Sequence, residues 1–218
     1  MRSKTIIKQY IEEIMSIKRI AKLIDRILYK ANRLIEQGKY NKFTISEYYR
    51  QQGAQIGENC IIVPKELGTE PYLVKIGNHV SINQGVRLHT HDGGTWIFRE
   101  EIPDLRVFGP IIIEDNCLIG EYAHILPNVT IGKNSIVAAG SVVITDVKPN
   151  SIVMGIPARP FGSVEKYKQK CMDRWEIQKP PNFHPDGKMS YEESKHKDLI
   201  LEQLRNHLCN VFKEKLAK

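Results

Sequence analysis

At 218 residues, with 41% hydrophobic and 26% charged side chains, the chain has room for one sizeable core with appendages, or at most two small domains. Its net charge of +7 is uneven: residues 1–37 carry nine Lys/Arg against four Asp/Glu, residues 163–218 carry twelve against nine, and the middle is close to neutral. A near-neutral middle excludes a nucleic-acid-reading core, and no apolar run approaches the roughly 20 residues that cross a bilayer.

No signal peptide opens the chain, and a cytoplasmic location is expected. Residues 1–45 are a helix and a connector. Ile7, Ile11, Ile14, Ile17, Ile20, Ile24, Ile27, Ala31 and Leu34 advance by three or four, with Lys and Arg between them, which predicts one amphipathic helix over 4–37. Gly38 stands at the C′ position that such ends prefer. The apolar stripe needs a partner: the chain's own core, a neighbouring subunit or, given the flanking cations, a peripheral membrane contact. Lys39–Gln55 is read as a short connector.

From residue 46 to 162 the chain follows a period of six. Ile113, Ile119, Ile125, Ile131, Val137 and Val143 recur in step, and two residues ahead of them stand Ile111, Cys117, Ala123, Val129, Ser135 and Ser141. A period of six fits neither an amphipathic helix nor an isolated strand, so it is a structural repeat. In a parallel β-helix each hexapeptide makes one short strand and a corner, and the aliphatic points inward onto its equivalent one coil away. The same period is present at Ile56 and Ile62, slips by two through residues 63–73, and returns at Ile76, Ile82 and Leu88. It then stops from His89 to Gly109. The cysteines Cys60, Cys117, Cys171 and Cys209 lie far apart and form no metal-like pair, as expected of a reducing compartment.

The interruption at 89–109 opens with His89-Thr90-His91-Asp92-Gly93-Gly94-Thr95-Trp96. Long loops in regular solenoids are where function is built. An imidazole takes a proton from a hydroxyl or amine at neutral pH, Asp92 or a carbonyl would hold its tautomer, and Trp96 offers a ring face to a sugar or base. With His124 the pair His89 and His91 reaches the three imidazoles of a catalytic zinc site. Yet His124 precedes an inward residue and should face outward, with nothing fixing it near the others, so no metal is expected. His79 is placed at a corner that suits almost any polar residue, and His184, His196 and His207 at the surface.

Ser151–Gly162 should close the repeat, its prolines ending the ladder. Residues 163–218 form a helical extension, with a helix over 163–175, a Pro-rich segment 179–187, and a last helix opened by a Ser190/Glu193 capping box. The apolar face of that last helix is Ile200, Leu204, Leu208, Val211 and Phe212.

The hexad repeat, the THDGG loop, AAGSVV and GIPARP together resemble the hexapeptide-repeat acyltransferases over about residues 46–170. The likeness is strongest to the sugar and polysaccharide O-acetyltransferases of the galactoside, maltose and xenobiotic type. The resemblance implies an all-β core wound as a left-handed parallel β-helix, an exception to the right-handed crossover rule. It also implies a homotrimer with acetyl-CoA in the groove between adjacent β-helices. By the same likeness the catalytic histidine maps onto His91, beside Asp92, with His89 as the alternative. Coenzyme contacts, mostly backbone, map onto Ala139, Gly140, Ser141 and Thr145, with Arg159 near the phosphates. Trp96 and Asn83 fall on the side of the acceptor, a sugar or polysaccharide hydroxyl or else an amino sugar. Glu121 departs from the galactoside pattern, which has a small polar residue there. A carbonic-anhydrase-like metal β-helix and a non-catalytic trimeric scaffold are the competing classes.

Overall fold

A computed structural model of the chain describes residues 2–181, 183 and 194–217, with side chains from residue 18 onward. His184 and the Ser190/Glu193 box lie outside the described residues. The chain divides into two units, Met1–Phe161 and Gly162–Lys218.

The first unit is built of very short strands: β1 (Gln55–Ile56), β2 (Ile61–Ile62), β3 (Val74–Ile76), β4 (Ser81–Ile82), β5 (Arg87–Leu88), β6 (Ile111–Ile113), β7 (Leu118–Ile119), β8 (His124–Ile125), β9 (Val129–Ile131), β10 (Ile136–Val137), β11 (Val142–Val143), β12 (Ser151–Gly155) and β13 (Ala158–Ser163). They pair as three sheets, β1-β3-β6-β9, β2-β4-β7-β10-β12-β13 and β5-β8-β11. From β3 to β11 the chain visits the three sheets in rotation, so each of these coils lays one strand on each face. The registers stack the hexad aliphatics on one another: Ile56, Ile76, Ile113, Ile131 and Val147 on one face; Ile62, Ile82, Ile119, Val137 and Val153 on the second; Leu88, Ile125 and Val143 on the third. None is more than 9% exposed. Each such burial stabilises the fold by about 1.5–3 kcal/mol.

The residues two ahead of them, Ile111, Cys117, Ala123, Val129, Ser135 and Ser141, are buried as well. Burial pushes the Cys117 thiol up, and it donates to Gly132 O at 3.3 Å. All four cysteines are free.

Three residues past most inward aliphatics the backbone turns through the left-handed region. Asn59, His79, Asn116, Tyr122, Asn128, Asn134 and Asn150 have φ between +55° and +62°. That conformation costs an L-residue roughly 1–2 kcal/mol, least for Asn. Along one corner the side chains form a column: His79 Nδ1 meets Asn116 Oδ1 at 2.7 Å, Asn116 Nδ2 donates to Asn134 Oδ1 at 2.9 Å, and Asn134 Nδ2 donates to Asn150 Oδ1 at 3.1 Å. His79 therefore does not occupy an indifferent corner. It fills an asparagine position, and its ring bonds the next coil.

Two further expectations change. Lys39–Gln55 is not a plain connector, because it contains α2 (Ile45–Gln51), whose Ile45 and Tyr49 are buried in the same core as the first coils. Tyr49 OH donates to Pro64 O at 2.8 Å, and Arg50 bonds Ile56 O and Gly57 O. The short helix is thus tied across the first coil. Nor do the prolines of Ser151–Gly162 end the ladder: β12 pairs with β10, and β13 lies outside it as the edge strand. Pro157 stands in the turn between those strands and Pro160 on the edge strand, where a missing N–H need not break pairing.

The N-terminal helix, α1 (Arg2–Gln37), is tied to its unit at its C-terminal end, where Arg33 pairs with Glu66 at 2.6 Å and Gln37 Nε2 donates to Lys65 O at 2.6 Å. Its Ile20, Leu23, Ile24, Ile27, Leu28 and Leu34 stand 50–56% exposed, so the stripe is not covered by its own coil. Among the described residues no helix is long and apolar enough to cross a membrane. In the second unit α3 (Val164–Gln178) starts on Ser163, whose Oγ accepts from Lys166 N, and α4 (Lys197–Val211) buries Ile200, followed by α5 (Lys213–Leu216).

Candidate active site

Both interruptions of the repeat bear on the start of the third face. The first, after β2, turns at Gly68 (φ +72°), where an added Cβ would lie 2.7 Å from Leu88 O and 3.1 Å from Thr90 Oγ1. Only a residue without a Cβ lets this loop lie so close to β5. The loop then delivers Glu70. The second interruption leaves β5 at His89 and is pinched at its neck: His91 pairs antiparallel with Phe108, Asp92 N donates to Val107 O at 2.9 Å, and Gly109 N donates to Thr90 O at 3.0 Å. A fixed neck fixes Thr90 and His91.

Glu70 Oε2 accepts from the Thr90 hydroxyl and lies 3.0 Å from His91 Nδ1. The Glu70 side chain is 12% exposed and that of His91 42%. Burial alone would raise the Glu70 carboxyl, but the bonds from Thr90 and His91 and the His91 charge outweigh it and hold it below the usual range. An ionised carboxylate only accepts, so the proton sits on Nδ1 and Nε2 carries the lone pair. This imidazole is arranged to take a proton.

Asp92 does something different from what the sequence suggests. Its Oδ1 accepts from Gly94 N at 2.8 Å and caps the 3₁₀ turn Gly93–Phe98, so the carboxylate at His91 is that of Glu70. His89 is also differently engaged. Its Nε2 lies 2.9 Å from His124 Nδ1, with the rings stacked at 5.2 Å. His124 is therefore beside His89, across the β5–β8 register that places it opposite Arg87. Burial, then the neighbouring His124, His91 and Arg87, push the His89 imidazole below its usual value. Among the described residues no three His, Cys, Asp or Glu side chains gather as a metal site.

Trp96 is 71% exposed on the loop, with the Arg99 guanidinium 5.5 Å from its ring centre. Asn83 follows β4, and its Oδ1 accepts from Ser81 Oγ at 3.2 Å. Of the later residues, Ala139, Gly140, Thr145 and Arg159 are exposed. Ser141 is not: it is fully buried, its Oγ accepts from Gly155 N, its N–H donates to Ala138 O, and its carbonyl accepts from His124 N. With every polar atom taken inside the coil, Ser141 is a core residue. Glu70, the carboxylate bonded to His91, is the residue of this candidate site that the sequence pattern missed; the only signal was its place in the two-residue slip of the period.

Three faces of stacked hexads with a histidine loop between coils define a hexapeptide-repeat enzyme. Residues 110–145 match the family profile described as bacterial transferase hexapeptide (six repeats). Protein CapG of Staphylococcus aureus is 41% identical over 138 residues, which span 62% of this chain and 80% of that protein. The galactoside O-acetyltransferase of Escherichia coli is 37% identical over 91 residues, 41% of this chain but only 44% of that enzyme. The crystal structure of a hexapeptide-repeat containing acetyltransferase from Vibrio cholerae superposes with a TM-score of 0.51 at 25% identity, covering 61% of this chain and 86% of that one. The chain belongs to the hexapeptide-repeat acyltransferase family.

Proposed function

We propose that this enzyme transfers the acetyl group of acetyl-CoA to a hydroxyl of a sugar or polysaccharide, with His91 as general base. The observation that carries the assignment is the bond from His91 Nδ1 to Glu70 Oε2 at 3.0 Å, which leaves Nε2 free to accept. His89 spends its Nε2 on His124 and is the weaker base candidate. Acetyl as the group transferred is supported by the acetyltransferases among the similar proteins.

In the reaction, His91 Nε2 takes the acceptor hydroxyl proton as that oxygen bonds to the thioester carbonyl carbon. The tetrahedral intermediate collapses, the C–S bond breaks, and the thiolate leaves and recovers the proton from the imidazolium. General-base help is worth about 10²–10⁴ in rate, and positioning both substrates supplies much of the remainder. A covalent enzyme intermediate is unnecessary, since among the described residues no Ser or Cys bonds either histidine.

The left-handed sense of the coil, the homotrimer and a coenzyme groove between copies are parts of the same reading. The exposed Ala139, Gly140, Thr145 and Arg159 would line that groove, and Trp96 and Asn83 would meet the acceptor. Free thiols and an acetyl-CoA supply suit the cytoplasm. The test is release of free thiol from acetyl-CoA in a screen of sugars. His91→Ala should keep the fold and trimer and lose at least about a hundredfold in turnover. A larger loss in His89→Ala would move the base to His89. No coenzyme-dependent rise in melting temperature up to millimolar acetyl-CoA would overturn acetyl transfer itself.

A further inference from the structure

Beside His89, between the end of α1 and the first interruption of the repeat, lies a cavity of about 310 Å³ whose lining includes Arg33, Glu66, Thr69, Arg87 and His89. Two guanidinium groups share one carboxylate there. Arg33 Nη2 meets Glu66 Oε1 at 2.6 Å, while Arg87 Nη1 reaches Glu66 Oε2 only at 3.4 Å, so the second pairing is loose. One positive charge is in excess. Arg33 Nε is screened from solvent and, among the described residues, has no hydrogen-bond partner. A second opening, of about 510 Å³, is lined by the same Arg33, Glu66 and Arg87, together with Gln37. Gln37 Oε1 is likewise screened and has no partner among the described residues. Those two atoms are out of a ligand's reach, but the Arg33 and Arg87 side chains are 35% and 59% exposed and line the cavity, so two guanidinium forks against one carboxylate match an anionic ligand.

We infer that the acceptor sugar carries an anionic group, a carboxylate or a phosphate, held between Arg33 and Arg87 while one of its hydroxyls meets His91. This rests on the acyl-transfer reading of the same site. His89 lines the cavity and follows Arg87 by two residues, and His91 follows two residues later, which an extended chain spans in at most roughly 14 Å from Arg87. Arginine's planar fork pairs with carboxylate or phosphate better than it pairs with neutral hydroxyls. The arrangement gives α1 a role in recognition, since this helix brings Arg33 to the acceptor side. Glu66 holds both arginines in place when the cavity is empty and competes with the incoming anion.

The experiment measures binding by calorimetry for methyl glucuronide, glucose 6-phosphate and methyl glucoside, and separately for coenzyme A. The full chain, Arg33→Gln, Arg87→Gln and Glu66→Gln are compared, with melting curves to verify folding. At least one anionic sugar should bind about tenfold or more tightly than the neutral one. That preference should shrink to within about threefold in either arginine variant, and Glu66→Gln should tighten anion binding. The tighter of glucuronide and phosphate names the anionic group. Equal affinity for neutral and anionic sugars, or a preference untouched in both arginine variants, overturns the inference. So does a loss of coenzyme A affinity in Arg87→Gln without loss of sugar preference, which would give the cavity to the coenzyme phosphates. Thiol release from acetyl-CoA, followed in the same samples, reports the transfer reading independently, because a neutral-sugar preference with turnover refutes only the anion.

Discussion

Replacing Glu70 by Gln keeps the shape of the side chain and removes its charge. In the native site the carboxylate accepts twice, from Thr90 Oγ1 and from His91 Nδ1, and so fixes the proton on Nδ1. A glutamine amide offers one acceptor and one donor. Both native bonds fall on the single oxygen Oε2, so an amide oxygen placed there accepts from both and keeps the proton on Nδ1, but the negative charge that stabilises the imidazolium is gone. The variant should therefore lose about 5–30-fold in kcat, or roughly 1–2 kcal/mol, the difference between a hydrogen bond to a charged acceptor and one to a neutral acceptor. The hydrogen bonds are weakened rather than deleted, so the stability loss should be of the same order. The assay is steady-state thiol release at saturating acetyl-CoA, with a melting curve for each preparation. The KM for acetyl-CoA should hardly move, and Glu70→Asp, shorter by one methylene, should recover part of kcat. Should Glu70→Gln keep kcat within about threefold while His91→Ala is inactive, the carboxylate charge does not assist His91 and the proposed role is wrong.

Other expectations are more local. His89 is held below the usual imidazole value by burial and then by His124, His91 and Arg87, so folding opposes its protonation. The unfolded chain then binds more protons as pH falls below about 6.5, stability declines there, and His89→Gln should flatten that part of the curve in urea titrations at stepped pH. Glu70 adds a lower window: its depressed carboxyl stabilises the fold above the usual glutamate range and loses that effect as pH falls through its own value, a decline that Glu70→Gln should remove. Ile119→Ala, in the middle of the second stack and 0% exposed, should cost about 2–5 kcal/mol in chemical denaturation. Gly85 has φ +73° and an added Cβ would fall 2.4 Å from the Tyr122 ring, so Gly85→Ala should destabilise, and Tyr122→Ala in the same chain should relieve the clash but leave about 1–2 kcal/mol of backbone strain. His79→Asn should change stability by less than about 1 kcal/mol, whereas His79→Val, β-branched at a left-handed corner, should be clearly destabilising in the same measurement.

The coil is legible because its signal is periodic. Each inward aliphatic stacks on another aliphatic one coil away, so Ile113 and Ile131 announce their contact eighteen residues apart. The corner residues carry a second periodic signal, and it is easily missed at His79 because one histidine hides an asparagine column. α2 escapes because a seven-residue helix is too short for an amphipathic pattern to stand out, and its place is set by Tyr49 and Ile45 entering a core made elsewhere. Proline misleads near residue 160, where the strand is an edge and needs no N–H from that position. In the site, His89, Thr90, His91 and Asp92 are neighbours in sequence, yet proximity misassigns the carboxylate. Asp92 bonds its own turn, as aspartate does when a backbone N–H lies two residues ahead, and the partner of His91 comes from twenty-one residues upstream.

That distance explains how the chemistry is assembled. A regular hexad coil spends its inward positions on packing, leaves its outward ones to solvent and fixes its corners, so it has little room to gather catalytic groups. Material for a site must come from departures in the period, and this chain has two large ones before its central coil. The slip after β2 supplies Glu66, Thr69 and Glu70, and the loop after β5 supplies His89, Thr90 and His91. Gly68 is where they touch, since its missing Cβ lets the first loop lie on Leu88 O and Thr90. Gly68→Val would push against backbone on one side and Thr90 on the other, in a conformation that valine avoids. The expected result is a folded coil whose melting temperature falls by a few degrees while kcat falls at least tenfold, because Glu70 is carried away from His91. A variant that melts lower yet keeps its turnover would mean that the two loops act independently, and the coupling between them would have to be abandoned.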